Sequence, residues 1–420
     1  MGLPKDIIDD WVLDSIIRYD KSLVGKPNNG TRKVSGQLLS PPDSDDSMNS
    51  TESSASVAAA SSVHPDVAIP INLHSIEALE FVGFDKKTST WLCGNLGSDR
   101  SFEEVVMEYI EENCIYDEPE DWYASMKKLG ISTERQSGIM DPAFEDVRST
   151  GTLFYWLREF FQENIWILEN MSKKLKQNLE VIKAGGPSTP LRGGTGQGRT
   201  KYLLTRAGHT TLFRATSAAG LAKVFDSGSL CLEEMCRKIA PSDSSWELPA
   251  YYWSKEFWVA ERFGAYTSRN CSQAQVCVVR VLCPQGLLQG EHVWKLEYGD
   301  DWRKLIWHSR RGKPYPEDIK KKWRTAKLII GPVSINSNKD IVRMKSWKDV
   351  QEKNMYVVGG EEASQYVWIG GEAMMEMNEP WKNKFDIFKG SWSRVLEDKW
   401  ADCKAKHIAD PEKWVKEHAT

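Results

Sequence analysis

Thr211-Leu-Phe-Arg-Ala-Thr216 decides how this chain of 420 residues is read. Apolar residues flank one arginine, the pattern of a short buried strand that carries a single charge. Working outward, Pro249-Ala-Tyr-Tyr-Trp-Ser254 reads as a strand end, and a helix is expected over 257–265. Gln275-Val-Cys-Val-Val-Arg-Val-Leu-Cys283 is a clear strand, closed by Pro284. Further short strands are expected over 304–308, 328–332, 354–358 and 365–369, with a helix starting at Glu372. Short strands mixed with short helices predict an α+β domain over 201–380. A helical tail is expected over 381–420.

Upstream, Ala184-Gly-Gly-Pro-Ser-Thr-Pro-Leu-Arg-Gly-Gly-Thr-Gly-Gln-Gly-Arg-Thr200 reads as a flexible linker. No strand precedes its glycines and no Gly-Lys-Ser/Thr closes them, so it lacks the features of a phosphate-binding loop. A helical domain is expected over 68–183. Its longest signal runs from Thr152 to Lys183, where apolar residues recur at spacings of three and four. Ser101-Phe-Glu-Glu104 is a capping box that opens a helix. Asp121 opens another, which ends at Gly130. Residues 24–67, rich in Ser, Pro, Asp and Asn, bury too little apolar area to offset chain entropy and read as a disordered linker. A short amphipathic helix is expected within 1–23, either as a docking segment or packed on its own domain.

Composition narrows the functional classes. Apolar residues make up 40% of the chain and charged residues 27%, enough for a folded core. The net charge of −4 gives no basic excess, so no nucleic acid is expected as partner. No apolar run approaches a membrane span and no secretory signal is visible; an intracellular protein, cytoplasmic or nuclear, without membrane contact is expected. None of the eight cysteines forms Cys-x-x-Cys, and Cys271, Cys277 and Cys283 fit buried positions in and around a strand. Eighteen tryptophans suit cores, clefts or interfaces. One reading is therefore a non-enzymatic interaction protein with Trp-rich surfaces, recruiting protein partners through its N-terminal helix and linker.

The other reading rests on a resemblance. The order of Leu-Phe-Arg214-Ala-Thr216, a helix, Tyr252-Trp-Ser254, a helix and a Val-rich strand is similar to the ADP-ribosyltransferase-like fold. Ile-Ile-Gly-Pro332 and Gln365-Tyr-Val-Trp resemble endings seen in bacterial and fungal domains of that group. Residues 209–378 look like a fungal domain family within it. The resemblance implies NAD as substrate and an arginine–serine–glutamate arrangement. Arg214 matches the arginine that meets a diphosphate oxygen or braces the ribose, and Ser254 matches the serine. Tyr252 is implied to stack on nicotinamide, with Thr216 and Gln365 beside the cofactor. The glutamate departs from the pattern. Asp301 is the nearest acid to the expected place, followed by Asp300 and Glu297, and Gln365 is a neutral alternative at a late strand. An aspartate is one methylene short, and such a displacement costs on the order of a hundredfold in rate. Other roles are open for the same residues. Arg214 suits pairing with a carboxylate, Ser254 suits an N-cap, and Tyr252 suits packing. His308, Arg310 and Arg311 suit either the cleft or a solvated turn. The run Lys320-Lys-Lys-Trp-Arg324 reads as a solvated helix face.

Overall fold

The computed structural model describes residues 24–35, 66–96, 100–114, 121–183, 207–217, 219–221, 242–336, 340–381 and 385–389. The expected N-terminal helix, the Gly-rich linker and most of the expected C-terminal tail lie outside them. The architecture is mixed α and β. Strands β1 (Val24–Asn28), β2 (Thr31–Val34) and β3 (Val67–Pro70) form an antiparallel sheet where a disordered linker was expected. The reason is local. Asn29 and Gly30 both take positive φ, the two-residue turn that joins twisted strands. Val24, Val34, Val67 and Ile69 then bury against the helices.

Helices α1 (Ile76–Val82), α2 (Lys86–Gly94), α3 (Phe102–Asn113), α4 (Trp122–Lys128), α5 (Thr133–Ile139), α6 (Glu145–Arg148) and α7 (Leu153–Lys183) follow. Their starts are set by side-chain caps. Ser75, Asp85, Asp121 and Ser132 each accept a hydrogen bond from a first-turn N–H. The Ser101/Glu104 capping box is formed as expected.

Two further sheets carry the C-terminal half. Strand β4 (His209–Ser217) pairs antiparallel with β6 (Val276–Pro284), which also pairs with β12 (Phe385–Lys389). Residues 385–389 are thus a strand, not part of a helical tail. The second sheet has the order β5 (Ala250–Trp253), β11 (Ser364–Ile369), β8 (Leu328–Pro332), β7 (Val293–Lys295), with only β7 and β8 parallel. Val357–Val358 (β9) and Glu361–Glu362 (β10) form a small hairpin. The two sheets meet where Phe213 of β4 and Ser254 exchange N–H···O bonds of 2.7 and 2.9 Å.

Helix α8 (Phe257–Asn270) covers β4 and β6 on one side, and α11 (Gly371–Trp381) packs on the other. Residues 304–308, expected as a strand, lie within helix α9 (Asp300–Arg310), which precedes α10 (Glu317–Thr325). Trp302, Leu305, Ile306 and Ser309 share its buried face at helical spacing. Asp300 and Asp301 stand in its first turn, where negative charge suits the helix dipole.

The helical region and the α+β region share one core. Ala260, Ala265, Tyr266 and Val276 belong to the same buried cluster as α1–α7. Tyr266 packs edge-on against Trp156 at 4.8 Å and donates its hydroxyl to Ile139 O at 2.8 Å. Asp146 of α6 pairs with Arg262 and accepts from the Tyr356 hydroxyl at 2.8 Å, and Arg269 reaches Asp141 at 2.8 Å.

Candidate functional site

The seam between the sheets opens a cleft of about 180 Å³ beside Arg214. Its position follows from the elements that frame it. β4 supplies Phe213 and Arg214, β5 and the residue after it supply Tyr252 and Ser254, and β11 supplies Gln365. The opposite wall comes from α7 and α8, with Tyr155, Trp156, Glu159 and Phe263. A volume near that of a cavity known to take benzene, about 150 Å³, suits one aromatic ring rather than a whole dinucleotide.

Arg214 is half-buried, and its Nη1 donates to Tyr252 O at 3.0 Å. This bond ties the guanidinium to β5. Ser254 is buried, and its hydroxyl donates to Glu256 Oε2 at 2.9 Å while accepting from Glu256 N at 3.2 Å. The same carboxylate takes the N–H and hydroxyl of Ser364 at 3.0 and 2.8 Å. Ser254 therefore ties β5 to β11 through Glu256. It is not the helix cap, because α8 begins at Phe257 with Glu256 in the cap position.

Tyr252 borders the cleft with its hydroxyl spent. It donates to Ser242 Oγ at 2.7 Å and accepts from Ser244 N at 3.2 Å. Burial, followed by the nearby Asp243 carboxylate, pushes its pKa up to about 12. Its role as a stacking platform is thus limited by packing on the loop 242–245.

Two residues the sequence reading did not single out for the site stand at its floor and wall. Asp243 is 3% exposed. Its carboxylate accepts from Arg310 Nε at 2.7 Å, Ser334 N at 2.8 Å, the Ser334 hydroxyl and Gln365 Nε2 at 3.2 Å. Arg310 also donates to Thr150 O, which closes the floor against the helical region. Glu159 enters from α7. Neither had a sequence signal. Asp243 sits in a polar Ser-Asp-Ser-Ser run that reads as loop, and Glu159 is one acid on a long helix.

Gln365, 6% exposed, spends its amide nitrogen on Asp243 and on Pro332 O at 2.9 Å. The network assigns the amide orientation, since only the nitrogen donates. Arg214, Tyr252, Ser254 and Gln365 therefore come together on one cleft. Thr216 does not join them; it packs toward Gly220, outside the lining. Asp301 is also elsewhere, in the first turn of α9 and paired with Lys322. Asp300 and Glu297 are exposed and border no part of the cleft. Arg310 belongs to the floor, whereas Arg311 donates to Val342 O and Met344 O. His308 borders no part of the cleft.

Among the described residues, no group of three His, Cys, Asp or Glu side chains is arranged to hold a metal ion, and no helix is long and apolar enough to cross a membrane. Comparison with protein-family models, curated proteins and solved structures returned no match.

Proposed function

We propose that this chain is an ADP-ribosyltransferase-like protein that binds NAD with its nicotinamide ring in the Arg214 cleft and the rest of the dinucleotide outside it, without transferring ADP-ribose. The observation that carries this reading is the meeting of Arg214, Tyr252, Ser254 and Gln365 on one cleft, with an amide at the strand position. A positive guanidinium suits a diphosphate, and the aromatic walls suit a planar ring. Cleavage of the nicotinamide–ribose bond develops positive charge, which a preplaced carboxylate stabilises and a neutral amide does not. Asp243 borders the cleft, but its oxygens are taken by Arg310, Ser334 and Gln365. Glu159 stands on the helical wall rather than on the sheet.

Calorimetric titration with NAD tests the binding, and nicotinamide release tests the chemistry. Saturable binding is expected in the wild type, weakened at least about tenfold in Arg214→Ala, one charge-assisted contact being worth about that factor. No nicotinamide release above the buffer rate is expected. Absence of binding by the wild type overturns the ligand. Release that disappears in Glu159→Gln overturns the inert cleft and makes Glu159 its carboxylate.

A further inference from the structure

We propose that the face formed by α9, α10 and the segment 341–349 binds single-stranded nucleic acid through its phosphates. The net charge of −4 conceals a strong segregation. Residues 302–353 carry fifteen Lys and Arg against five Asp and Glu, so the acidic excess lies elsewhere in the chain. The fold gathers much of this charge on one surface. Arg303 Nε donates to Val350 O at 2.8 Å, while Arg311 Nη1 and Trp307 Nε1 donate to Met344 O at 2.7 and 3.1 Å. These bonds lay the segment along α9.

Two indoles then hold cations in place. Arg303 and Lys304 lie 5.2 Å from the Trp347 ring centre and Lys348 lies 5.8 Å from it. Arg311 and Lys313 lie 4.8 and 5.8 Å from the Trp307 ring centre. On the α10 side, Lys322 lies 5.9 Å from Trp294. Cations ordered against aromatic rings lose less conformational freedom on meeting a phosphate. Lys313, Lys345 and Lys348 are exposed. Five acids bear on the same surface, one of them Glu317, which pairs with Lys320 at 3.0 Å. Asp300 and Asp318 pair with Arg303 and Lys304, Asp301 pairs with Lys322, and Asp349 accepts from Ser346 N at 3.0 Å.

The chemistry favours a single strand over the alternatives. The guanidinium planes of Arg303 and Arg311, held over half-buried indoles, offer stacking surface to unpaired bases, whereas the bases of a duplex are already stacked. A membrane is disfavoured because, among the described residues, none of the large exposed apolar side chains lies in the segment 302–353.

Fluorescence anisotropy of a labelled 20-nucleotide oligouridylate with the full chain tests the proposal. With about four phosphates engaged at a slope of about 0.7 each, affinity is expected to fall about 50-fold between 50 and 200 mM salt. Lys345→Glu/Lys348→Glu changes only exposed side chains; its salt slope is expected to be shallower by about 1.4. Arg214→Ala is expected to bind the strand as the wild type does, which separates this face from the cleft. No binding at 50 mM salt overturns the proposal, as does a double variant with unchanged slope. Equal affinity for a duplex of the same length overturns the single-strand choice. Binding of phosphatidylserine vesicles in place of the strand overturns it in favour of a membrane.

Discussion

Replacing Asp243 by alanine is expected to be among the most costly single changes in the described fold. The carboxylate is 3% exposed and Arg310 beside it is 5% exposed, with 2.6 Å between Nη2 and Oδ1. Removing the acid strands a buried guanidinium, a loss of about 3–5 kcal/mol for pairs of this kind. Ser334 N and Gln365 Nε2 lose an acceptor at the same time, each worth about 1–3 kcal/mol if left unsatisfied. These terms overlap, because Arg310 keeps Thr150 O and Gln365 keeps Pro332 O. A net loss of about 5 kcal/mol is expected in urea unfolding followed by tryptophan fluorescence. Asp301→Ala is the control. Its partner Lys322 is 48% exposed, so less than about 1 kcal/mol is expected. Replacing both partners, Asp243→Leu with Arg310→Met, is expected to recover part of the loss, since no charge is then stranded while Ser334 N and Thr150 O stay without their partners. An Asp243→Ala loss below about 2 kcal/mol, or a double replacement no better than the single one, refutes the account of the floor.

Three further outcomes follow from the same geometry. Gly130 has a φ of +66°, and a Cβ there would lie 2.6 Å from Thr88 Cβ; Gly130→Ala is expected to cost more than about 1 kcal/mol in the same unfolding measurement. Burial lowers the His308 pKa below its usual 6.5, so the unfolded chain binds the proton more readily. Stability is then complete above pH 6.5 and falls as pH drops below it; His308→Gln is expected to flatten that part of a stability–pH profile. Burial raises the Cys277 thiol pKa and pushes that of Cys283 up to about 12, so site-resolved alkylation at pH 8 is expected to spare both until urea unfolds the chain.

Where the structure departs from the sequence-based expectation, particular residues show why. Lys304-Leu-Ile-Trp-His308 looks like a strand when its apolar centre is read alone. Extending the window to Trp302 and Ser309 reveals the helical spacing, and the paired aspartates mark the start. The hairpin at 24–34 carried an Asn-Gly turn inside a polar surrounding. Its strands bury few residues, so their apolar signal was weak. β12 lay in a region read as helix from Trp392, Val395, Leu396, Trp400 and Trp414 beyond it, and its partner β6 is about a hundred residues earlier.

By itself the sequence determined whatever depends on neighbours along the chain. The caps at Ser75, Asp85, Ser101 and Asp121, the long helix from Leu153, and strands β4, β6, β8 and β11 all follow from spacing and short-range hydrogen bonding. Arg214, Tyr252, Ser254 and Gln365 also stood out in the sequence as candidate site residues. Only the tertiary structure decided that these four share a cleft, that Thr216 and Asp301 lie outside it, and that Asp243 and Arg310 form its floor. The physical reason is distance along the chain. Gln365 meets Asp243 across 122 residues and Arg310 meets Thr150 across 160, and such pairings arise from packed sheets and helices, not from local patterns.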